Sequence, residues 1–248
     1  MASPSSTNSP ALRDGQDFPN QTRAMFGRAG WILVVDAVVY WNSAAEYPGP
    51  AAALCVVVAL IAVFFLGLGW WMVRSSKSGK QELYDSILEL AAIEGSEKIL
   101  DVGCGLGLLS IAEAKQLKTG KVIGVGTWDQ AQVSRYTAEN ARENAKLAGV
   151  GDKLRFENGD LLKLGYPDGH FDLVTSFMTV HRLAEARDRA QAVREMYRVL
   201  KPGGKLLIHD PEASEYRQVL TKLGANTVSL SNQSYLWAVS SQTLSVKK

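Results

Sequence analysis

The residues best suited to chemistry lie in one run, Lys98-Ile-Leu-Asp-Val-Gly-Cys-Gly-Leu-Gly107, an apolar strand followed by acid-x-Gly-x-Gly-x-Gly. Gly103, Gly105 and Gly107 let a ligand approach the backbone with no Cβ in the way, and the start of the expected helix offers unpaired amides. Asp101 would repel a pyrophosphate and suits a cationic amino-acid headgroup. Leu108 stands where a dinucleotide fingerprint has its third glycine, which argues against a nicotinamide cofactor. A second candidate is His181 in Ser176-Phe-Met-Thr-Val-His-Arg182, because an imidazole exchanges protons near neutral pH. Its other reading is a histidine that packs or caps the next helix. His170 reads as a turn residue, His209 as the end of an apolar run, and Asp188 with Arg189 as a solvated helix face. Cys55 and Cys104 form neither a disulfide framework nor a zinc spacing, so no metal site is expected and a reducing compartment is.

The elements that must position these residues alternate from Lys80 onward. Gln81 to Ile93 is an amphipathic helix with Leu83, Ile87, Leu90 and Ala91 on one face. Short apolar runs follow at 98–102, 121–125, 154–156, 171–176 and 205–209. Helical patterns separate them, from about Leu108, from Asp129 to Leu147, and from Ala186 to Leu200. Parallel neighbours need crossover helices, so this order predicts a doubly wound, mostly parallel α/β sheet of seven strands. The β-rich tail, 227–230 and 234–246, predicts an antiparallel hairpin at its edge.

Before residue 80 the composition is different. Residues 1–28 are rich in Ser, Pro and Asn and are expected to be disordered, and they do not read as a secretory signal. Residues 29–79 read as a membrane anchor. Ala51 to Val73 is a 23-residue run free of charge, and at ~1.5 Å per residue it covers ~35 Å against ~30 Å of hydrocarbon. Ala29 to Ala45 is a shorter apolar stretch carrying Asp36, read as a second span, a re-entrant segment or an interfacial helix. Trp70 and Trp71 sit at the expected interface with Arg74, Lys77 and Lys80 beyond, which places the following domain on the cytosolic side. The charge balance, 27 Lys and Arg against 25 Asp and Glu, gives no nucleic-acid footprint.

Asp101 to Gly107 resembles the first motif of the class I S-adenosylmethionine-dependent methyltransferases. Asn158-Gly-Asp160 resembles that family's acid at the adenine amino group, with Leu161 beside it. Phe171-Asp-Leu-Val174 resembles its fourth strand, and Leu200-Lys-Pro-Gly-Gly204 the turn before its fifth. The likeness runs from about Ser86 to Leu244 and is close to the subgroup acting on small molecules and lipids. It implies S-adenosyl-L-methionine as cofactor, bound by Asp101, Gly103, Cys104, Gly105, Gly107, Gly126, Thr127, Trp128, Asp129, Asp160, Leu161 and Ser176, with His181 as the candidate base.

One departure stands out. The family's second strand usually ends in an acid that takes both ribose hydroxyls, and here Gly126 occupies that place. Losing a charged hydrogen-bonding partner costs about 1.5 to 3 kcal/mol. Asp129 is read either as the substitute ribose contact or as a first-turn acid of the next helix, and Trp128 either as a cover for adenine or as packing at the sheet edge. The sequence therefore supports a membrane-anchored methyltransferase with a small, lipophilic acceptor dissolved in the bilayer. The alternatives are a scaffold that keeps the fold without turnover, which Gly126 favours, and a methyltransferase of protein substrates.

Overall fold

The computed structural model describes residues 19–43, 45–74, 79–128, 137–236 and 239–248. Helix α1, Pro19–Ser43, opens on a proline, whose fixed φ and missing N–H suit a first helical turn. That start lies inside the segment expected to be disordered, so helix replaces disorder over residues 19–28, while the expectation for residues 1–18 lies outside the described residues. Helix α2 spans Pro48–Arg74. The two run antiparallel, and the Phe26 ring lies 3.1 Å from where a Cβ on Gly69 would stand. Small residues, Ala51, Ala62 and Gly69, are buried, while Trp31, Trp41, Leu60, Phe64 and Trp70 are exposed. This inverts the soluble pattern of large apolar groups inside. Both helices are long and apolar enough to cross a membrane. Together they fall in a unit of their own, Gln16–Gln81, separate from a second unit that contains Glu82–Lys248.

The second unit is built on β1 (Lys98–Val102), β2 (Lys121–Gly126), β3 (Leu154–Asn158), β4 (Phe171–Phe177), β5 (Leu200–Asp210), β6 (Val228–Leu230), β7 (Ser234–Leu236) and β8 (Val239–Lys247). The hydrogen-bonded order is β3-β2-β1-β4-β5-β8-β6, with β7 paired to β8 off that path. The first five strands are mutually parallel and β8 runs antiparallel to β5, β6 and β7. The expected sheet is present, and β6 pairs with β8 as the expected terminal hairpin; the run expected as one strand over 234–246 contributes two, β7 and β8, so the sheet has eight strands and not seven. Helices α3 (Lys80–Ala91), α4 (Leu108–Gln116), α5 (Ala138–Leu147), α6 (Ala186–Val199) and α7 (Ala213–Lys222) complete the unit.

Apolar side chains from two faces of the sheet explain this layering. One cluster joins Leu100, Val102, Val174, Leu206 and Ile208 to Val193, Met196 and Tyr216 from α6 and α7. The other joins Ile99, Val122, Leu173 and Leu207 to Ile87, Leu109, Ile111 and Ala141 from α3, α4 and α5. Alternate residues of one strand thus serve opposite clusters, as a period of two requires. Helix α5 begins later than the pattern from Asp129 suggested. The Thr137 Oγ1 accepts from the Asn140 N–H at 3.1 Å and caps the helix, and Asp129 lies outside the described residues. The Leu200 to Gly204 stretch, expected as a turn, enters β5 through a register shift opposite Phe171.

Strand order reverses direction between β1 and β4, and in such sheets ligands bind at the carboxyl ends of the strands beside that switch. The glycine loop after β1 and the segment after β4 therefore face one crevice.

Candidate functional site

Gly103, Gly105 and Gly107 all adopt positive φ, of 79°, 55° and 75°. The loop is anchored from below, since the Gly103 and Cys104 amides donate to the Val125 carbonyl at 2.7 and 3.1 Å. A Cβ on Gly107 would strike the Phe156 ring and one on Gly103 the Thr179 side chain. Bare backbone is thus required on both counts, conformation and space. Thr179 joins the two sides of the crevice: its hydroxyl bonds the Gly103 carbonyl at 3.1 Å and the Phe177 carbonyl at 3.0 Å.

Asp101 sits beneath the loop. It is 1% exposed, and the Ser110 hydroxyl donates to its Oδ2 at 2.5 Å. Its carboxylate holds the start of α4 against β1. Beside it Glu113 is fully buried, accepts from the Thr175 hydroxyl at 2.7 Å, and keeps Oε2 without a partner among the described residues. Burial pushes Asp101 up to about 6 against the pull of Ser110, and burial together with the Asp101 charge drives Glu113 well above the usual carboxylate range. Burial likewise raises the Cys104 thiol, so that side chain packs as a neutral group.

His181 lies in a 3-10 turn, Val180–Arg182, two residues beyond Thr179. Its Nδ1 is 2.9 Å from Oδ2 of Asp210, the last residue of β5, and its backbone N–H reaches the same oxygen at 3.3 Å. The Tyr216 hydroxyl donates to the other oxygen, Oδ1, at 2.8 Å. Asp210 is fully buried while the His181 side chain is 29% exposed, so the imidazole presents its free edge to solvent. Arg189 fixes this turn from α6 by donating to the Leu183 and Ala184 carbonyls at 3.1 Å each. Its side chain is only 17% exposed, so Arg189 belongs to the support of the site and not to a solvated face. The remaining histidines are structural: His170 stacks on Tyr166, and His209 is buried with Nδ1 on Thr243 and Nε2 on Ser241.

The other candidates fall in different settings, and Trp128 is the one bonded to the loop by a side chain. Trp128 lies over Gly126, and its Nε1–H donates to the Gly105 carbonyl at 3.2 Å. Thr127 is exposed. Asp160 is exposed at the end of β3, its Oδ1 accepting from the Leu162 N–H at 2.8 Å. Leu161 is buried in the core, and Ser176 is buried with its hydroxyl on the Val102 carbonyl at 2.9 Å. Among the described residues no group of three His, Cys, Asp or Glu could hold a metal. Asp210, Tyr216, Thr179 and Glu113 did not stand out in the sequence. The one signal for Asp210 was an acid at the end of an apolar strand, the position that lines the crevice in this architecture.

Residues 100–208 match the family model described as a methyltransferase domain. Over these residues the chain is similar to S-adenosylmethionine-dependent methyltransferases. Relatives include Methyltransferase GfsG of Streptomyces halstedii, 33% identical over 57% of this chain and 49% of that protein. The 27-O-demethylrifamycin SV methyltransferase of Amycolatopsis mediterranei (strain S699) is 30% identical over the same shares. A solved S-adenosylmethionine-dependent methyltransferase from Aquifex aeolicus has the same fold, with a TM-score of 0.52 and 19% identity over 66% of this chain and 88% of that one. The chain spans about half the length of the curated relatives it matches. The family's cofactor is S-adenosylmethionine, and the bare, positive-φ glycine loop above a buried acid fits its amino-acid end. The β2 terminus fits less simply, because Gly126 supplies no carboxylate.

Proposed function

We propose that the chain is a membrane-anchored methyltransferase that transfers a methyl group from S-adenosylmethionine to a hydroxyl of a small, lipophilic acceptor on the cytosolic side. The observation that carries this reading is the Asp210–His181 pair at the mouth of the glycine loop. The cofactor, when bound, supplies an electrophilic methyl on a sulfonium, so the domain's task is alignment and removal of one proton.

Asp210 accepts from Nδ1–H of His181 and so leaves the Nε2 lone pair free at the exposed edge. An acceptor hydroxyl docked there would give its proton to Nε2 as its oxygen takes the methyl group and the methyl–sulfur bond breaks to leave a thioether. Asp210, held by Tyr216, then faces the resulting imidazolium at 2.9 Å. A hydroxyl needs such a base, whereas an amine already unprotonated does not. The antiparallel pair α1 and α2, with its outward tryptophans and long apolar stretches, supports insertion in a bilayer, where a lipophilic acceptor is concentrated.

Full-length protein in lipid nanodiscs, supplied with methyl-labelled S-adenosylmethionine and a total lipid extract, should place label in the organic phase. Label in membrane protein alone would instead favour a protein acceptor. A second reading, a scaffold without turnover, draws on Gly126. It predicts cofactor binding by calorimetry with no label transferred to any fraction.

A further inference from the structure

Gly126 closes β2 where a carboxylate would meet a ribose, and that space is filled. A Cβ built on Gly126 would stand 2.9, 3.0 and 3.2 Å from Cε2, Cζ2 and Cδ2 of Trp128, so the indole lies across the bare backbone. The ring is fixed on two further sides. Its Nε1–H donates to the Gly105 carbonyl at 3.2 Å, on the lip of the glycine loop, and its edge meets the Phe156 ring at 6.1 Å and 87°. Phe156 in turn fills the space beside Gly107 and Gly124, so the floor beneath this end of the crevice is aromatic and uncharged. The neighbouring carboxylates among the described residues have partners of their own, Asp160 through one oxygen only. Glu157 bonds Arg155 at 2.7 Å and Tyr166 at 2.5 Å, and Asp160 turns one oxygen to the Leu162 amide.

We propose that Trp128 is the specificity-determining residue at the nucleoside end of the crevice, its indole offering adenosine an apolar face in place of a carboxylate that would read the ribose hydroxyls. This rests on the reading that the crevice takes S-adenosylmethionine. Gly126 and Trp128 form one device: the indole can fold onto the strand end because residue 126 has no side chain. An acid there would compete with the ring for the same volume. A carboxylate accepting from both hydroxyls makes their removal cost about ten- to a hundredfold in affinity, whereas an aromatic face is indifferent to them. Base–aromatic stacking contributes comparably, about tenfold or more when the ring is removed.

The test uses the full-length protein in nanodiscs and two probes, S-adenosylhomocysteine and its 2′-deoxy counterpart, followed by calorimetry. Wild type should bind them within about threefold of each other. Trp128→Ala should lose about tenfold or more for both, and Trp128→Phe should keep most of the affinity while abolishing the change in tryptophan fluorescence on binding. Gly126→Asp alone should weaken binding, because the new side chain collides with the indole. Gly126→Asp combined with Trp128→Ala should recover affinity and acquire a 2′-deoxy penalty. A penalty of about tenfold or more in wild type, or tighter binding by Gly126→Asp alone, overturns the proposal. A wild-type penalty that vanishes in Asp129→Asn overturns it in favour of Asp129. Folded wild type that binds neither probe overturns the methyltransferase reading itself, a result distinct from all of these.

Discussion

At the scale of single residues, the site depends on where protons are held. Asp210 is fully buried and bonded to His181, so on the proposed function it is a positioning residue. Asp210→Asn removes the acceptor that fixes the Nδ1–H tautomer while keeping shape. It should lower kcat by about 10²-fold or more with KM for the acceptor and cofactor affinity nearly unchanged. Steady-state kinetics beside calorimetry checks this, and a loss confined to KM would assign Asp210 to substrate binding. Glu113 poses a different problem, a buried acid with an unpartnered oxygen next to Asp101. Because its folded pKa is raised, the native state holds a proton that the unfolded chain releases above about pH 4.3. Stability from this group is complete at low pH and is lost as pH climbs toward the folded value. The neutral isostere Glu113→Gln is free of that loss. Relative to wild type it should gain stability between pH 5 and pH 8. Urea unfolding at both pH values measures the double difference, and an equal offset at the two would show that Glu113 carries no raised pKa.

At the scale of elements, the glycine loop is where conformation and packing make the same demand. Gly107 holds φ 75° at the N-cap of α4, and the Phe156 ring occupies the place of any Cβ. Gly107→Ala therefore meets both backbone strain, about 1 to 3 kcal/mol for a left-handed non-glycine, and displacement of an aromatic from the floor. It should lower the unfolding free energy by at least about 2 kcal/mol and abolish S-adenosylhomocysteine binding at concentrations saturating wild type. Unchanged calorimetric affinity would place the ligand away from this loop. The strands and crossover helices that carry the loop were legible in the sequence, because each strand is a short apolar run and each helix an amphipathic one. The glycine spacing was legible because bare positions declare themselves by composition. The support of His181 was not. Asp210 is 29 residues away in the chain, and Arg189 acts through carbonyls of a turn that only the packing of α6 creates. Nor does the sequence show that Asp101 faces inward, since its partner Ser110 differs from an ordinary helix serine only in three dimensions. The start of α1 was missed because proline and polar residues suit both a disordered segment and a first helical turn.

At the scale of the whole molecule, the outward-facing apolar surface of α1 and α2 is the feature on which the proposed anchoring rests. Phe26 near the start of α1 meets Gly69 near the end of α2, so both helix ends that lead away from the turn lie on one side of the pair. Arg23 and Arg28 lie in the first turns of α1 and Arg74 closes α2 on that side, whereas the turn between the helices carries Glu46 alone as a charge. On the proposed anchoring, the positive-inside bias predicts both flanks on the cytosolic face. A glycosylation acceptor carried on a long insert at Glu46 should be modified in microsomes, and the same insert after Lys248 should not. Modification at the C-terminus would reverse the orientation and remove the domain from its proposed side. If the acceptor resides in the bilayer, its effective concentration is set by its density in the membrane and not by bulk volume. Diluting it with inert phospholipid at constant total amount should therefore slow labelling about in proportion to its mole fraction, whereas diluting the vesicles in buffer should leave the rate per protein unchanged. A rate that tracks bulk concentration would show that the acceptor arrives from water, and the helix pair would then serve location alone.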